Sequence, residues 1–199
     1  MVTVHILDRD ISRGEALARR ASTAGMHVET YQGLPELIAL PPRSGVLLAS
    51  DDIHGPNMSA ILAAMEQTGL FVPVALYAEE AAPERIVDAM LSGALDYLVL
   101  PIGLEDLVRA VNRLDDSGRS AVAKRRKEAV ARTLVSALSA REREVLRELV
   151  LGAANKAIAA TLGISSRTVE IHRASILRKL GAGSSSDAVR IGLLAGVAD

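Results

Sequence analysis

The sequence predicts an α/β unit with a doubly wound, five-stranded parallel sheet, followed by a smaller all-α unit. Three observations carry this reading. Over roughly the first 115 residues, short apolar runs alternate five times with amphipathic segments. Beyond them only helical periodicity remains. Charge divides in the same region. Residues 1–120 hold nine Lys/Arg against seventeen Asp/Glu (net −8), and residues 121–199 hold fourteen against seven (net +7), although the whole chain is nearly neutral at −1.

In order, the strands are expected near Thr3–Leu7, His27–Tyr31, Gly45–Ala49, Val72–Tyr77 and Asp96–Leu100. Helices are expected near Ser12–Ala24, Leu34–Leu40, Asn57–Thr68, Pro83–Ser92 and Leu104–Arg113. Each strand is a β-branched or aliphatic run, and each helix has apolar residues three or four apart. In such sheets a site forms at the carboxyl ends of the strands, where strand order reverses. Asp8 and Asp10, Asp51 and Asp52, Ala78 and Leu100 fall at those ends. Asp115-Asp-Ser-Gly118 is read as the close of this unit. The division is therefore 1–115, a helical linker over 116–137, and a helical unit over 138–199. In the linker, Val122, Ala129, Val130, Leu134, Val135 and Leu138 form an apolar stripe beside the basic run Lys124-Arg-Arg-Lys127. The stripe fits docking between units or pairing of two chains. The run fits either contact with phosphates or a solvated face.

The helical unit opens on Ser139 with Glu142 three residues on, a capping box. Val145, Leu146, Leu149 and Val150 follow at helical spacing up to Gly152. Asn155–Thr161 forms a short second helix with Ile158 and Leu162 inward, and Leu162-Gly163-Ile164 is a tight turn. Ser165 caps a third helix that ends at Leu180 and Gly181. On a helical wheel Val169, Ile176 and Leu180 share one face. Arg167, Glu170, Ile171, Ala174 and Arg178 take the opposite one. This is the layout of a helix-turn-helix whose last helix enters the DNA major groove. There Ile171 and Ala174 can meet thymine methyls, Glu170 can accept from cytosine N4, and Arg167 can reach guanine or a phosphate. The wheel alone also fits an ordinary amphipathic helix in a three-helix bundle.

The residues Arg141-Glu142, Glu144-Val145-Leu146, Gly152, Asn155-Lys156, Ile158-Ala159, Leu162-Gly163, Ser165, Thr168-Val169, His172, Ile176 and Lys179-Leu180 resemble the LuxR/FixJ (GerE-type) DNA-binding domain of bacterial response regulators. The resemblance spans about sixty residues. It implies backbone contacts to duplex DNA from Lys156 and around Ser166, Thr168 and His172; Ser165 and Arg173 are counted among the expected DNA-binding residues. It implies base readout from Glu170, Ile171 and Ala174, flanked by Arg167 and Arg178. A last helix near Ser185–Ala195 is similar to the family's dimerisation helix. Homodimers would place two recognition helices about one DNA turn apart on an inverted repeat.

Residues 1–115 resemble the receiver domain of two-component response regulators. The carriers are Val4-His-Ile-Leu-Asp8, Asp52 with Pro56-Asn-Met-Ser59, Pro73, Gly93-Ala-Leu-Asp-Tyr97 and Pro101. The resemblance implies a flavodoxin-like strand order 2-1-3-4-5. It also implies an aspartate phosphoacceptor served by Mg²⁺ and a histidine kinase, and a switch aromatic at Tyr97. That chemistry needs hard oxygen ligands for the metal and positive or donor groups around the phosphoryl oxygens. This chain keeps Asp8, with Asp10 nearby in the acidic pocket. It departs from the family at Arg9 (an acid there), Ala78 (a hydroxyl) and Leu100 (a lysine). The acceptor itself has two candidates: Asp52 counting back from Pro56 and Met58, and Asp51 counting forward along the third strand. Conventional Mg²⁺-dependent phosphorylation is expected to be weak or absent; the alternatives are a partner- or ligand-gated module or antagonist of another regulator, and an ordinary kinase-phosphorylated regulator with an unusual site. Arg9 is expected to pair with Asp51 or Asp52, or else to be a solvated surface charge.

Composition bounds the rest. With no cysteine, disulfides and thiolate zinc sites are excluded. His5, His27 and His54 lack ligand spacing, so no metal is expected on them. All four aromatics (Tyr31, Phe71, Tyr77, Tyr97) lie in the acidic part. The basic part therefore has no stacking platform for single strands, which favours duplex DNA. No signal peptide or membrane span is expected, and the location is read as cytoplasmic. No triad, nucleotide loop or other catalytic constellation points to an enzyme.

Overall fold

The computed structural model describes residues 2–52 and 55–198. The chain divides into two compact units, Met1–Arg126 and Lys127–Asp199. In the first, the elements alternate as β1 (Thr3–Leu7), α1 (Ile11–Thr23), β2 (His27–Tyr31), α2 (Leu34–Ala39), β3 (Val46–Ser50), α3 (Met58–Thr68), β4 (Val74–Ala78), α4 (Pro83–Leu91), β5 (Asp96–Val99) and α5 (Leu104–Ser136). All strand pairings are parallel, in the order β2-β1-β3-β4-β5. This is the predicted doubly wound sheet, with strand bounds within two residues of expectation.

The central strands β3 and β4 are buried at every residue, as required of parallel strands covered on both faces. Alternation sends Val4, Ile6, Val46, Leu48, Ala75 and Tyr77 to one face, where Leu17, Leu107, Val111 and Leu114 cover them. Leu7, Leu47, Ala49, Val74 and Leu76 go to the other face, against Leu37, Met58, Ile61 and Met65. Leu107 and Val111 are thus core. Met90 stays exposed.

One expectation is corrected. The helix after β5 does not stop near Arg113 but runs unbroken to Ser136. Gly118 is not a terminator. A Cβ at this position would lie 2.3 Å from Pro73 Cγ, so glycine here allows close packing of α5 in the first unit. Farther on, Arg125 donates to the Gly93 carbonyl. That side chain of the basic run is accordingly turned to protein. The apolar stripe also shifts: Ala131, Val135 and Leu138 are buried, while Val130 is exposed.

The second unit holds the end of α5, then α6 (Ala140–Val150), α7 (Asn155–Leu162), α8 (Ser166–Leu180) and α9 (Ser185–Leu194). Its core is Val145, Leu146, Leu149, Ile158, Val169, Ile176, Leu180 and Ala188, with Val135 and Leu138. The Ser139/Glu142 capping box is formed, Ser165 caps α8, and Gly163 and Gly181 close α7 and α8 in the left-handed region. Glu142 does more than cap. Buried to 5% exposure, its carboxylate accepts from Lys179 Nζ (2.7 Å), Ser175 Oγ (2.7 Å) and the Ser139 amide (2.7 Å). It thereby joins the start of α6 to α8. The Lys179 and Ser175 bonds, set against burial, hold its pKa at about 2 instead of the ordinary 4.5.

A depressed carboxylate pKa stabilises the fold above the unfolded value and loses that contribution as pH falls through the folded value. Between pH 4.5 and 2, the wild-type second unit should lose stability steeply. Glu142→Gln should cost about 1–3 kcal/mol at neutral pH and flatten that acid limb, as read by urea unfolding across the pH range.

Candidate functional site

The carboxyl edge of the sheet gathers three aspartates from two loops. Asp8 follows β1 and is buried to 4% exposure. Its Oδ2 accepts from Arg13 Nε (2.7 Å) and Tyr77 Oη (2.7 Å). Its Oδ1 accepts from Arg13 Nη2 (2.8 Å) and the Asp10 amide (3.0 Å). A carboxylate offers about four lone-pair positions, and here protein donors take all of them. Burial pushes the Asp8 pKa up, but these bonds outweigh it and hold the group below its ordinary value. Tyr77, buried and bonded to Asp8, is raised well above the usual phenol range and stays protonated.

Arg13 sits in the first turn of α1 and extends from Asp8 to Asp52, with Nη2 3.2 Å from Oδ2. Gly14 beside it packs closely on Asp8, where an added Cβ would lie 3.3 Å from the Asp8 Cβ. Asp10, expected in the acidic pocket, caps α1 through the Arg13 amide (3.1 Å) and is exposed. Asp51 is fixed at the end of β3 by its amide bond to the Tyr77 carbonyl (2.8 Å). Its carboxylate pairs with Arg85 (2.9 Å) and accepts from Tyr97 Oη (2.7 Å). Of the two candidate acceptors, the Asp51 side chain is 17% exposed and that of Asp52 40%.

Arg9, expected either to pair with Asp51 or Asp52 or to be a surface charge, is exposed. The guanidinium groups that the fold brings to these aspartates include those of Arg13 and Arg85. The helical position of Arg13, three residues after an Asp cap, was the available signal. No sequence signal marked Arg85, which lies 34 residues from Asp51.

A cavity of about 700 Å³ opens beside this cluster. Arg13 and Arg20 of α1, Asp51 and Asp52, Arg85, and the apolar Leu17, Ala78, Leu100 and Ile102 help line it. Leu100 and Ala78 bring hydrocarbon where a lysine and a hydroxyl were looked for. The donor set fits Mg²⁺ poorly, because both oxygens of Asp8 and of Asp51 and one of Asp52 are bonded to guanidinium, phenol or amide groups, which leaves few of the carboxylate oxygens such an ion needs. Among the described residues no group of three or more His, Asp or Glu is placed to hold a metal. His5 is buried with Nε2 2.8 Å from the Ser44 carbonyl, and His27 is exposed. His54 lies outside the described residues.

In the second unit α8 is rotated by its buried Val169, Ile176 and Leu180. Arg167, Glu170, Ile171, Ala174 and Arg178 are thereby exposed, Ile171 to 62%. Ser165, Ser166 and Lys156 are also exposed, while Thr168 and His172 are partly buried. Thr168 Oγ1 lies 2.8 Å from Ser165 Oγ within the cap. Arg173, expected among the DNA contacts, instead donates to Asn155 Oδ1 at the start of α7 and to Ser185 Oγ at the start of α9 (2.6 Å). Among the described residues Lys156, Arg167 and Arg178 form no ion pair with an acid.

Comparison with known proteins agrees with this layout. Residues 136–191 match the family described as bacterial regulatory proteins, luxR family. The chain is 34% identical to the transcriptional regulatory protein FixJ of Azorhizobium caulinodans, over 98% of this chain and 93% of that one. It is 32% identical to FixJ of Rhizobium meliloti, over 98% and 96%. The chain belongs to the LuxR/FixJ family of response regulators. It is a FixJ-like transcriptional regulator with a GerE-type DNA-binding domain. The first unit shares its fold with the crystal structure of FixJ-N, with a TM-score of 0.52 at 23% identity over 58% of this chain and 94% of that one. No helix among the described residues is long and apolar enough to cross a membrane.

Removing Arg13 should leave Asp8 buried without its main countercharge, which is costly. Arg13→Ala is expected to destabilise the first unit by about 3–5 kcal/mol. Adding Asp8→Asn should recover more than half of that loss. Additive losses in a double-mutant cycle would show that the pair is not coupled.

Proposed function

We propose that this chain is a cytoplasmic, sequence-specific regulator that binds duplex DNA as a homodimer, and that its receiver is not governed by conventional Mg²⁺-dependent aspartate phosphorylation. The observation that carries the second part is the saturation of Asp8 by Arg13, Tyr77 and the Asp10 amide, with Asp52 and Asp51 paired to Arg13 and Arg85. Two guanidinium groups supply the positive charge that a metal and a lysine would bring. For a phosphoryl group to be added, these ion pairs have to break.

The DNA-binding reading rests on the exposed face of α8. Glu170, Ile171 and Ala174 read bases, while Lys156, Ser165, Ser166, Thr168, His172, Arg167 and Arg178 surround them toward the backbone. Arg173 holds the starts of α7 and α9 in place. A second reading, in which a small ligand or a partner protein gates the output in place of phosphate, is favoured by the cavity beside Asp51, Asp52 and Leu100.

Incubation with acetyl phosphate and Mg²⁺ is expected to leave the intact mass unchanged. A phosphoryl adduct that disappears in Asp51→Ala or Asp52→Ala would restore kinase-type control and name the acceptor. On DNA, sequences selected from a random duplex pool by Glu170→Ala or Ile171→Ala should differ from the wild-type set, at about 1–3 kcal/mol per lost base contact. Lys156→Ala should weaken all duplexes alike and lower the salt dependence of binding by about one unit. An unchanged base preference for Glu170→Ala would mean that α8 docks differently.

A further inference from the structure

We propose that Asp51 is a built-in anion that latches α4 and β5 to the end of β3, doing permanently what an added phosphoryl group would do only transiently. This rests on the reading that the receiver is not governed by phosphorylation.

The latch has three parts. Asp51 is held by the sheet, since its amide continues the β3–β4 ladder to the Tyr77 carbonyl. Arg85, in the first turn of α4, spans the carboxylate (Nη2 to Oδ1, 2.9 Å) and the Asp51 carbonyl (2.6 Å). Tyr97, the second residue of β5, donates from its hydroxyl to Oδ2 at 2.7 Å. Burial and the bond to Asp51 both push the Tyr97 phenol above its usual range, so the proton stays on its oxygen. Each carboxylate oxygen of Asp51 thus holds a different element. Bonds to a charged acceptor in a shielded place are the stronger kind, and the Asp51 side chain is only 17% exposed.

Ala78, at the end of β4, has no hydroxyl to share between the β3 loop and β5, and Leu100 has no charge, so neither supplies a tie of this type. Among the described residues Asp51 and the Tyr97 hydroxyl connect the acidic edge to β5. The same two elements, α4 and β5, display Val87, Met90, Leu91 and Val99 as exposed apolar side chains. Their placement is set by bonds internal to the chain. A signal that reaches this face through the receiver must break or replace the bonds at Asp51.

The test is amide hydrogen exchange on the full-length protein without any phosphoryl donor, comparing wild type with Tyr97→Phe, Arg85→Gln and Asp51→Asn. Tyr97→Phe and Arg85→Gln each remove a latch donor, and Asp51→Asn removes the charge; Tyr97→Phe and Asp51→Asn nearly keep side-chain size. Exchange in residues 83–91 and 96–99 should rise by about tenfold, the loss expected for a hydrogen bond to a charged group. Exchange in β1 and β2 should stay within twofold. Rates within twofold in α4 and β5 for all three variants would overturn the latch. So would an equal rise in β1 and β2, which would mark general destabilisation. Acetyl phosphate labelling reads the other proposal separately. An adduct on wild type combined with selective loosening of α4 and β5 would remove phosphorylation independence and leave the latch standing.

Discussion

The buried carboxylate of Asp8 is the constraint around which the first unit is arranged. A parallel sheet brings the ends of all its strands to one edge, so acids in successive loops converge there. Like charges at that distance repel, and a buried charge without a partner is far more costly than a paired one. A receiver of the usual kind answers with a metal ion and a lysine. Here the answer comes from helices. Asp10 caps α1 and so fixes its first turn, Gly14 lets that turn approach β1, and Arg13 then reaches Asp8 and Asp52 together. Tyr77 supplies the remaining donor from β4. Three neighbouring features of the sequence, Asp10, Arg13 and Gly14, and the distant Tyr77 thus meet at one charge.

Much of this was legible in the sequence, and the part that was not has a physical cause. Strand and helix positions follow from period-two and 3.6-residue patterning, and the Ser139 and Ser165 caps from residue type at a fixed offset. The departures from the family's site residues at Arg9, Ala78 and Leu100 were visible. The part played by Arg13 and Arg85 was not. Arg13, one helical turn beyond Arg9, returns its side chain to the sheet. Arg85 meets Asp51 only because strand order puts β3 beside β4, a relation that no local pattern encodes. Gly118 misled for a related reason. Glycine reads as a stop when only the local chain is considered, whereas here Pro73 requires the absence of a Cβ.

Both units pair some arginines with their own carboxylates, in the second Arg141 with Glu144 and Arg190 with Asp187. In the first, Arg13, Arg85 and Arg113 each find a carboxylate within their own unit, so an acidic body neutralises part of its own charge. In the second, Glu142 takes Lys179 and Arg173 is spent on the starts of α7 and α9, while Lys156, Arg167 and Arg178 are left on the surface. That distinction decides which basic residues can serve a polyanion. Net charge alone would have counted all of them equally.

Arg173 shows why the distinction matters for reading a recognition surface. On a helical wheel it lies close to the exposed face of α8, and its residue type suits a phosphate. Its two donor contacts instead run to Asn155, next to Lys156, and to Ser185 at the start of α9. It therefore fixes where Lys156 stands relative to α8, and where α9 stands relative to both. Affinity for a regular duplex depends on such spacing as much as on the contacts themselves, because phosphates recur at intervals the protein cannot adjust. A residue can in this way shape a recognition surface through the neighbours it positions.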